Sequence, residues 1–414
     1  MGRAPLGTWG LRSTTTTRTT TTLRRSRATL ITKNEKYVSM VSIEEVCSAY
    51  RDCRKNKRNS LSALEYELDY ELNNYELWRQ LNDKTYAIGT SVAFCVTYPK
   101  LREVFAASFR DRIVHHLIIN KFMPIIEGEM IDSSYNCRKG KGVLYGIRDM
   151  QSKIQRVTHY GARQACCLKC DIKGFFMSID KDIMYRIIEN VIRERYDGED
   201  IEWWLWLINM VVYHRPEQNC EWHGDPSLRN GLEPGKSLMT SNGRGLPIGN
   251  YTSQIFANLY MTIFDRWITQ QLSVDDEYGR FVDDFVIMST DKRKLLSLIG
   301  SMKKFLSERL HLTLHPNKIC LTKASQGVKF TGYVIRQDRI YCASHTVNRM
   351  LRMINEWNND CNPDVDRYIC RYNSYSGFLV HCSSYKIRER AWDALSDHEG
   401  LENVNMRHIR RIKK

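Results

Sequence analysis

The sequence has 414 residues, 42% hydrophobic and 11% aromatic, with 23 Gly and 9 Pro, which excludes a collagen-like, low-complexity or wholly disordered chain. Its 62 Lys and Arg against 47 Asp and Glu leave a formal charge of +15, so a polyanion, nucleic acid first, is the partner class that the composition favours. No window of about 18 apolar residues marks a membrane span and no secretory h-region follows the N-terminal charges, so the thirteen cysteines read as reduced packing thiols of a cytoplasmic protein.

The first 34 residues hold no Asp or Glu, run through TTTTRTTTT, and carry Arg3, Arg12, Arg18, Arg24, Arg25, Arg27 and Lys33. About half of the net charge thus lies where apolar periodicity is almost absent, and residues 1–40 are expected to form a disordered basic leader. From Ser42 onward, SIEEVCSAYRDC and LSALEYELDYELNNYELWRQL show apolar residues at helical spacing and predict two amphipathic helices. The stretch TYPKLREVFAASFRDRIVHHLIINKF starts with short extended patches and passes into a helix with Ile113, Val114, Leu117 and Ile118 on one face. Its Lys100, Arg102, Arg110 and Arg112 read, taken alone, as solvated charge around a helix start.

ACCLKCDIKGFFMSID, residues 165–180, predicts a largely buried strand ending on a charged Asp171, then a helix capped by Ser178 or Asp180. A carboxylate at a strand-to-helix junction stands where ligand sites gather in open sheets. Residues 195–244, with WWLWL and GLEPGKS, yield no chemistry: GLEPGKS has only three residues between its glycines, a Pro in the turn and no preceding strand, so it is not a P-loop. Cys167-x-x-Cys170 and Cys220-x-x-His223 lack second halves and are not read as zinc sites. Gly245 to Asn250 reads as a flexible strand leading into a helix over 252–271. In YGRFVDDFVIM, residues 278–288, two strand-like runs flank Asp283-Asp284, placing the pair at a hairpin tip where two like charges without a Gly ask for a cation. If that tip faces Asp171, three carboxylates converge on a volume suited to Mg²⁺.

In this order on a basic chain, KCDIKGFFMSID, LPIGNYTSQIFANLYM, RFVDDFVIM, LTLHPNKI and VKFTGYV resemble motifs A to D and the following hairpin of the reverse transcriptase palm. The resemblance extends back through PKLREVFAASFRDRIVHH and SYNCRKGKG and forward through SYSGFLVHCSSYK, covering roughly residues 42–390. Within that superfamily the chain is most similar to the reverse transcriptases of diversity-generating retroelements. The resemblance implies an α+β right hand: N-terminal helices and fingers over 41–160, a palm of antiparallel sheet plus helices over 161–338 with a variable insertion at 195–244, and a short helical thumb with a basic tail over 339–414. It implies RNA-templated DNA synthesis from dNTPs by two-metal nucleotidyl transfer with Mg²⁺, for which Mn²⁺ can substitute.

Asp171 and Asp283 would then bind metal directly, with Asp284 adjacent and the Ile172 carbonyl completing the triphosphate metal. Phe176 would be the aromatic gate against a 2′-hydroxyl, which favours dNTP over rNTP. Gly249 and Gln254 would lie near the templating pair, and Phe281, where most relatives have Tyr, keeps the ring but loses a hydroxyl. Lys100, Arg102, Arg138 and Lys139 would contact phosphates from the fingers, and Lys318 would protonate pyrophosphate. Ile248 stands where many relatives have Gln; without a hydrogen bond to the nascent pair, synthesis is expected to be error-prone at template adenines. A small basic accessory protein and a template-repeat RNA are the implied partners, in a bacterial or phage-encoded system without a membrane. The end at Lys414 leads to the expectation of no maturase endonuclease or RNase H domain. A retron or phage-defence reverse transcriptase is the alternative enzyme, and an RNA-binding scaffold on a polymerase fold is the non-enzymatic alternative.

Overall fold

A reciprocal capping box starts the first helix, α1 (Ile43–Arg54): Ser42 Oγ accepts from the Glu45 N–H at 3.1 Å and the Glu45 carboxylate accepts from the Ser42 N–H at 2.9 Å. The computed structural model describes residues 39–412 except 56, 59, 99 and 397, so positions 1–38 of the expected leader lie outside the described residues. The second predicted helix is divided into α2 (Leu61–Leu68) and α3 (Tyr70–Asn82), with Asp69 between them at φ −128°, ψ 42°. An antiparallel hairpin of β1 (Ser91–Val96) and β2 (Arg102–Ala106) leads to α4 (Phe109–Glu129), capped by Ser108. Ile113, Val114, Leu117 and Ile118 are all buried, as their spacing predicts, and α4 packs against α1.

After α5 (Val143–Val157), the strand β3 (Cys166–Asp171) ends on Asp171 as expected. A short α6 (Phe175–Ser178) precedes α7 (Lys181–Arg195), whose cap is Asp180, accepting from the N–H groups of Asp182 and Ile183. The insertion contains α8 (Ile201–Tyr213) and β4 (Cys220–Trp222), which pairs parallel to β1 and so widens the fingers sheet to β2-β1-β4. The predicted helix over 252–271 is two helices, α9 (Tyr251–Tyr260) and α10 (Thr262–Gln271), meeting at Met261. Then come β5 (Glu277–Phe281), β6 (Asp284–Ser289), α11 (Lys292–Leu310) and β7 (Cys320–Lys323).

The palm is the four-stranded antiparallel sheet β5-β6-β3-β7. Both of its faces are covered. Leu168, Cys170, Phe285 and Ile287 join the helical core, whereas Cys167, Val286 and Met288 pack with Ile147, Met150 and Ile154 of α5. That two-sided burial is why these strands read as continuous apolar runs. Beyond the palm, β8 (Val328–Phe330), β9 (Tyr333–Ile335) and β10 (Ile340–Cys342) form a meander. Where the short helical thumb is expected, α12 (Ser344–Asn358), α13 (Val365–Leu379) and α14 (Tyr385–Asp393) follow.

The expected basic tail forms a hairpin, β11 (Leu401–Val404) and β12 (His408–Arg411). Ile409 and Leu401 are buried in the core formed by α12, α13 and α14, and the Asn373 side chain exchanges hydrogen bonds with the Ile409 backbone at 2.7 and 2.8 Å. All thirteen cysteines are free thiols. Among the described residues no helix is long and apolar enough to cross a membrane.

Candidate active site

Sheet register brings the acids together. Asp171, last in β3, is the direct partner of Asp284, first in β6. Partners in such a ladder stand about 4.5–5.5 Å apart. Phe281 pairs with Asp284, so the two turn residues are Val282 and Asp283, one position earlier than the sequence suggests. Asp284 is therefore held by the ladder and only Asp283 rides on the tip. The Asp283 carbonyl accepts from the Ile172 N–H at 3.3 Å, which ties the tip to the end of β3.

Two lysines occupy these carboxylates. Lys318 Nζ lies 2.8 and 2.9 Å from the two Asp171 oxygens, and Lys169 Nζ lies 2.7 Å from Asp284 Oδ2. Asp284 Oδ1 is buried and has no hydrogen-bond partner among the described residues. Burial, with Asp171 nearby, holds Asp283 above the usual carboxylate range. Burial also pushes Asp284 up to about 6, although Lys169 pulls the other way. Among the described residues no three His, Cys, Asp or Glu side chains gather closely enough to chelate an ion by themselves. Of the three carboxylates expected on one volume, Asp171 and Asp284 face each other across the ladder and each is paired with a lysine.

The turn has a support that sequence reading misses. Val282 adopts φ +58°, a left-handed conformation that costs a β-branched residue about 1–2 kcal/mol. Its N–H donates to Asn136 Oδ1 at 2.9 Å and its carbonyl accepts from Arg280 Nη1 at 2.9 Å. Arg280 is fully buried and makes a two-pronged pair with the equally buried Asp265 of α10, at 2.7 and 2.6 Å. The Tyr278 hydroxyl also donates to Asp265, at 2.7 Å, and Arg280 Nη2 donates to Ser134 Oγ at 3.1 Å. A signal for it exists in the sequence: an Arg inside an otherwise apolar strand must have a buried partner.

Above the acids lies a cavity of about 510 Å³ whose lining includes Asp283, Asp284, Phe176, Ile248, Phe281 and Arg102. Phe175 is buried and Phe176 half-buried, and both line the cavity. Ile248 also accepts a backbone hydrogen bond from Phe105 at 3.1 Å. Gly249, at φ +122°, passes so close to β2 that an added Cβ would meet Val104 Cγ1 at 3.0 Å.

Other expected residues lie elsewhere. Arg138 is not in the cavity: its guanidinium is buried and donates to Glu127 at 2.6 Å and to the Ser134 carbonyl at 3.0 Å. An Arg in a loop can satisfy itself on neighbouring carbonyls, and this one does. Lys100 is exposed and faces Glu233 at 3.8 Å, outside the cavity lining. Gln254 is exposed on α9 and touches Cys137. One cation that the sequence reading sets aside, Lys236 of the GLEPGKS stretch, lines the cavity.

Residues 98–335 match the family described as reverse transcriptase (RNA-dependent DNA polymerase). The chain belongs to this family. Among solved structures, the chain is similar to apo telomerase from Candida tropicalis truncated from its C-terminal domain, at 10% identity and a TM-score of 0.46, covering 62% of this chain and 55% of that one. It is similar also to telomerase from Candida albicans in complex with a fragment of telomeric RNA, at 12% identity and a TM-score of 0.43, covering 75% and 56%. The chain spans little more than half the length of these proteins. Comparison with curated proteins finds no match.

Proposed function

We propose that the protein copies an RNA template into cDNA by nucleotidyl transfer from dNTPs. The observation that carries this reading is the register of Asp171 opposite Asp284 with Asp283 on the adjoining turn, where Asp283 and Asp284 line a cavity of nucleotide size and Asp171 stands beside it. In the reaction the primer 3′-oxygen attacks the α-phosphorus, the bond from that phosphorus to the leaving oxygen breaks, and pyrophosphate departs.

The donor set fits hard divalent cations: Asp284 Oδ1 is a buried acceptor left unused, and Mg²⁺ needs only one or two carboxylates beside substrate phosphates. Held by Asp171, Asp283, adjacent Asp284 and the Ile172 carbonyl, two Mg²⁺, or Mn²⁺ in their place, would acidify the 3′-hydroxyl and neutralise charge developing on the triphosphate. Lys318, freed from Asp171 when that carboxylate takes a cation, would be the proton donor to pyrophosphate. Phe176 would close off the space of a 2′-hydroxyl, and Phe281, whose ring lines the cavity, would contact the incoming nucleotide.

Ile248 carries the finer reading, error-prone copying at adenines as in diversity-generating retroelements, with a template-repeat RNA and a small basic accessory protein. A branched apolar side chain beside the nascent pair offers no hydrogen bond, so only shape would check the template base. Ile248→Gln should lower misincorporation at template adenines several-fold when cDNA is sequenced; an unchanged error spectrum contradicts that role. The coarser claim is tested by primer extension on RNA with and without Mg²⁺. Wild-type protein that yields no metal-dependent cDNA sinks it.

A further inference from the structure

We infer that Lys236, from the insertion between the first and second palm motifs, binds the phosphates of the incoming nucleotide, an inference that rests on the polymerase reading above. The insertion is clamped onto the fingers and onto the turn after β3. Glu103 of β2, completely buried, accepts hydrogen bonds from Ser237 Oγ at 3.0 and 3.1 Å and from the Leu238 N–H at 2.7 Å, and faces Arg229 Nε at 3.5 Å. A buried carboxylate is costly unless paired in this way, so the contact fixes where the loop lies. Leu238 is itself buried against Ala93, Phe105 and Met177. On the palm side, the Gly235 carbonyl approaches Gly174 so closely that a Cβ there would meet it at 2.9 Å, and Gly174 has φ +58°.

Lys236 thus lies on a loop fixed on one side by Glu103 and packed closely against Gly174 on the other. It is half-buried, lines the cavity with Asp283 and Asp284, and contributes to the field at Asp283. Among the described residues it makes no ion pair, unlike Lys318, Lys169 and Arg138, whose charges are already engaged. A lone ammonium in a cleft that must admit a triphosphate has one evident ligand, a polyphosphate. Lys318, by contrast, is held on Asp171 and does not line the cavity, so the two lysines have separate roles: Lys318 beside the metal-binding acid, and Lys236 on the wall that the insertion supplies.

The test uses the full chain with Lys236→Ala, Lys236→Gln and Lys236→Arg. Two quantities are read: the dNTP KM and kcat in primer extension, and the affinity for inorganic tripolyphosphate by calorimetry without metal. Loss of one charge-assisted contact should raise KM and weaken tripolyphosphate binding by roughly ten- to a hundredfold for Ala and Gln, with kcat changed far less and Arg restoring most of the loss. Unchanged KM and unchanged tripolyphosphate affinity would overturn the assignment. So would a loss confined to primer–template affinity, which would place Lys236 on the nucleic-acid backbone. A wild-type protein without polymerase activity that still loses tripolyphosphate binding on Lys236→Ala would retain the phosphate site and discard the polymerase reading, so the two failures are distinct.

Discussion

The acids on the floor of the cleft and the bases around its walls are positioned by different kinds of contact. Asp171 and Asp284 are fixed opposite each other in one antiparallel ladder, and the turn bearing Asp283 is fixed by Arg280, Asn136 and the Ile172 N–H. Lys236 comes from a loop that meets the cleft only through long-range docking: it arrives because Glu103 holds Ser237 and Leu238 across 134 and 135 positions of sequence. Charges built on a sheet keep their geometry without a ligand, whereas a charge brought by a loop depends on a distant anchor. The floor therefore suits chemistry that tolerates little displacement, and the walls suit binding.

That contrast can be broken by experiment. Arg280→Met would leave the buried Asp265 without its countercharge, held by the Tyr278 hydroxyl alone, and should cost about 3–5 kcal/mol in urea unfolding, together with most of the polymerase activity as the Val282 turn loses a donor. Pairing it with Asp265→Leu should recover much of the stability but not the activity; recovery of both would show that the turn does not need this support. Arg138→Ala should cost about 1–3 kcal/mol of stability, because Glu127 and two carbonyls lose their donor, with the dNTP KM unchanged. A raised KM with normal stability would return Arg138 to the cleft wall. Phe176→Ala should relax selection against rNTP by about tenfold or more in single-nucleotide incorporation, with dNTP use reduced less. Undiminished selection would make Phe176 core only.

The same contrast governs what can be read from the residues alone. Strand β3, its terminal Asp171, the capping Asp180 and the apolar face of α4 follow from local pattern, and all lie where that pattern puts them. Turn chemistry favours polar residues and so puts the hairpin tip one residue late; the buried Arg280 and the Asn136 side chain together hold Val282 at φ +58°. The terminal hairpin is hidden by its net charge, since just Leu401 and Ile409 show the alternation a strand needs. GLEPGKS looks inert because its position depends on Glu103, which nothing in the local pattern of either segment reveals.

The most direct test of the central claim is single-nucleotide incorporation on an RNA template with Mg²⁺, comparing wild type with Asp283→Asn, alongside the melting temperature of each. Incorporation should fall at least about a thousandfold. The melting temperature should hold or rise, since burial, with Asp171 nearby, disfavours the charged form of this carboxylate and the substitution removes the charge. Incorporation within about tenfold of wild type, with a folded variant, would contradict the metal-binding role of Asp283 and with it the polymerase reading.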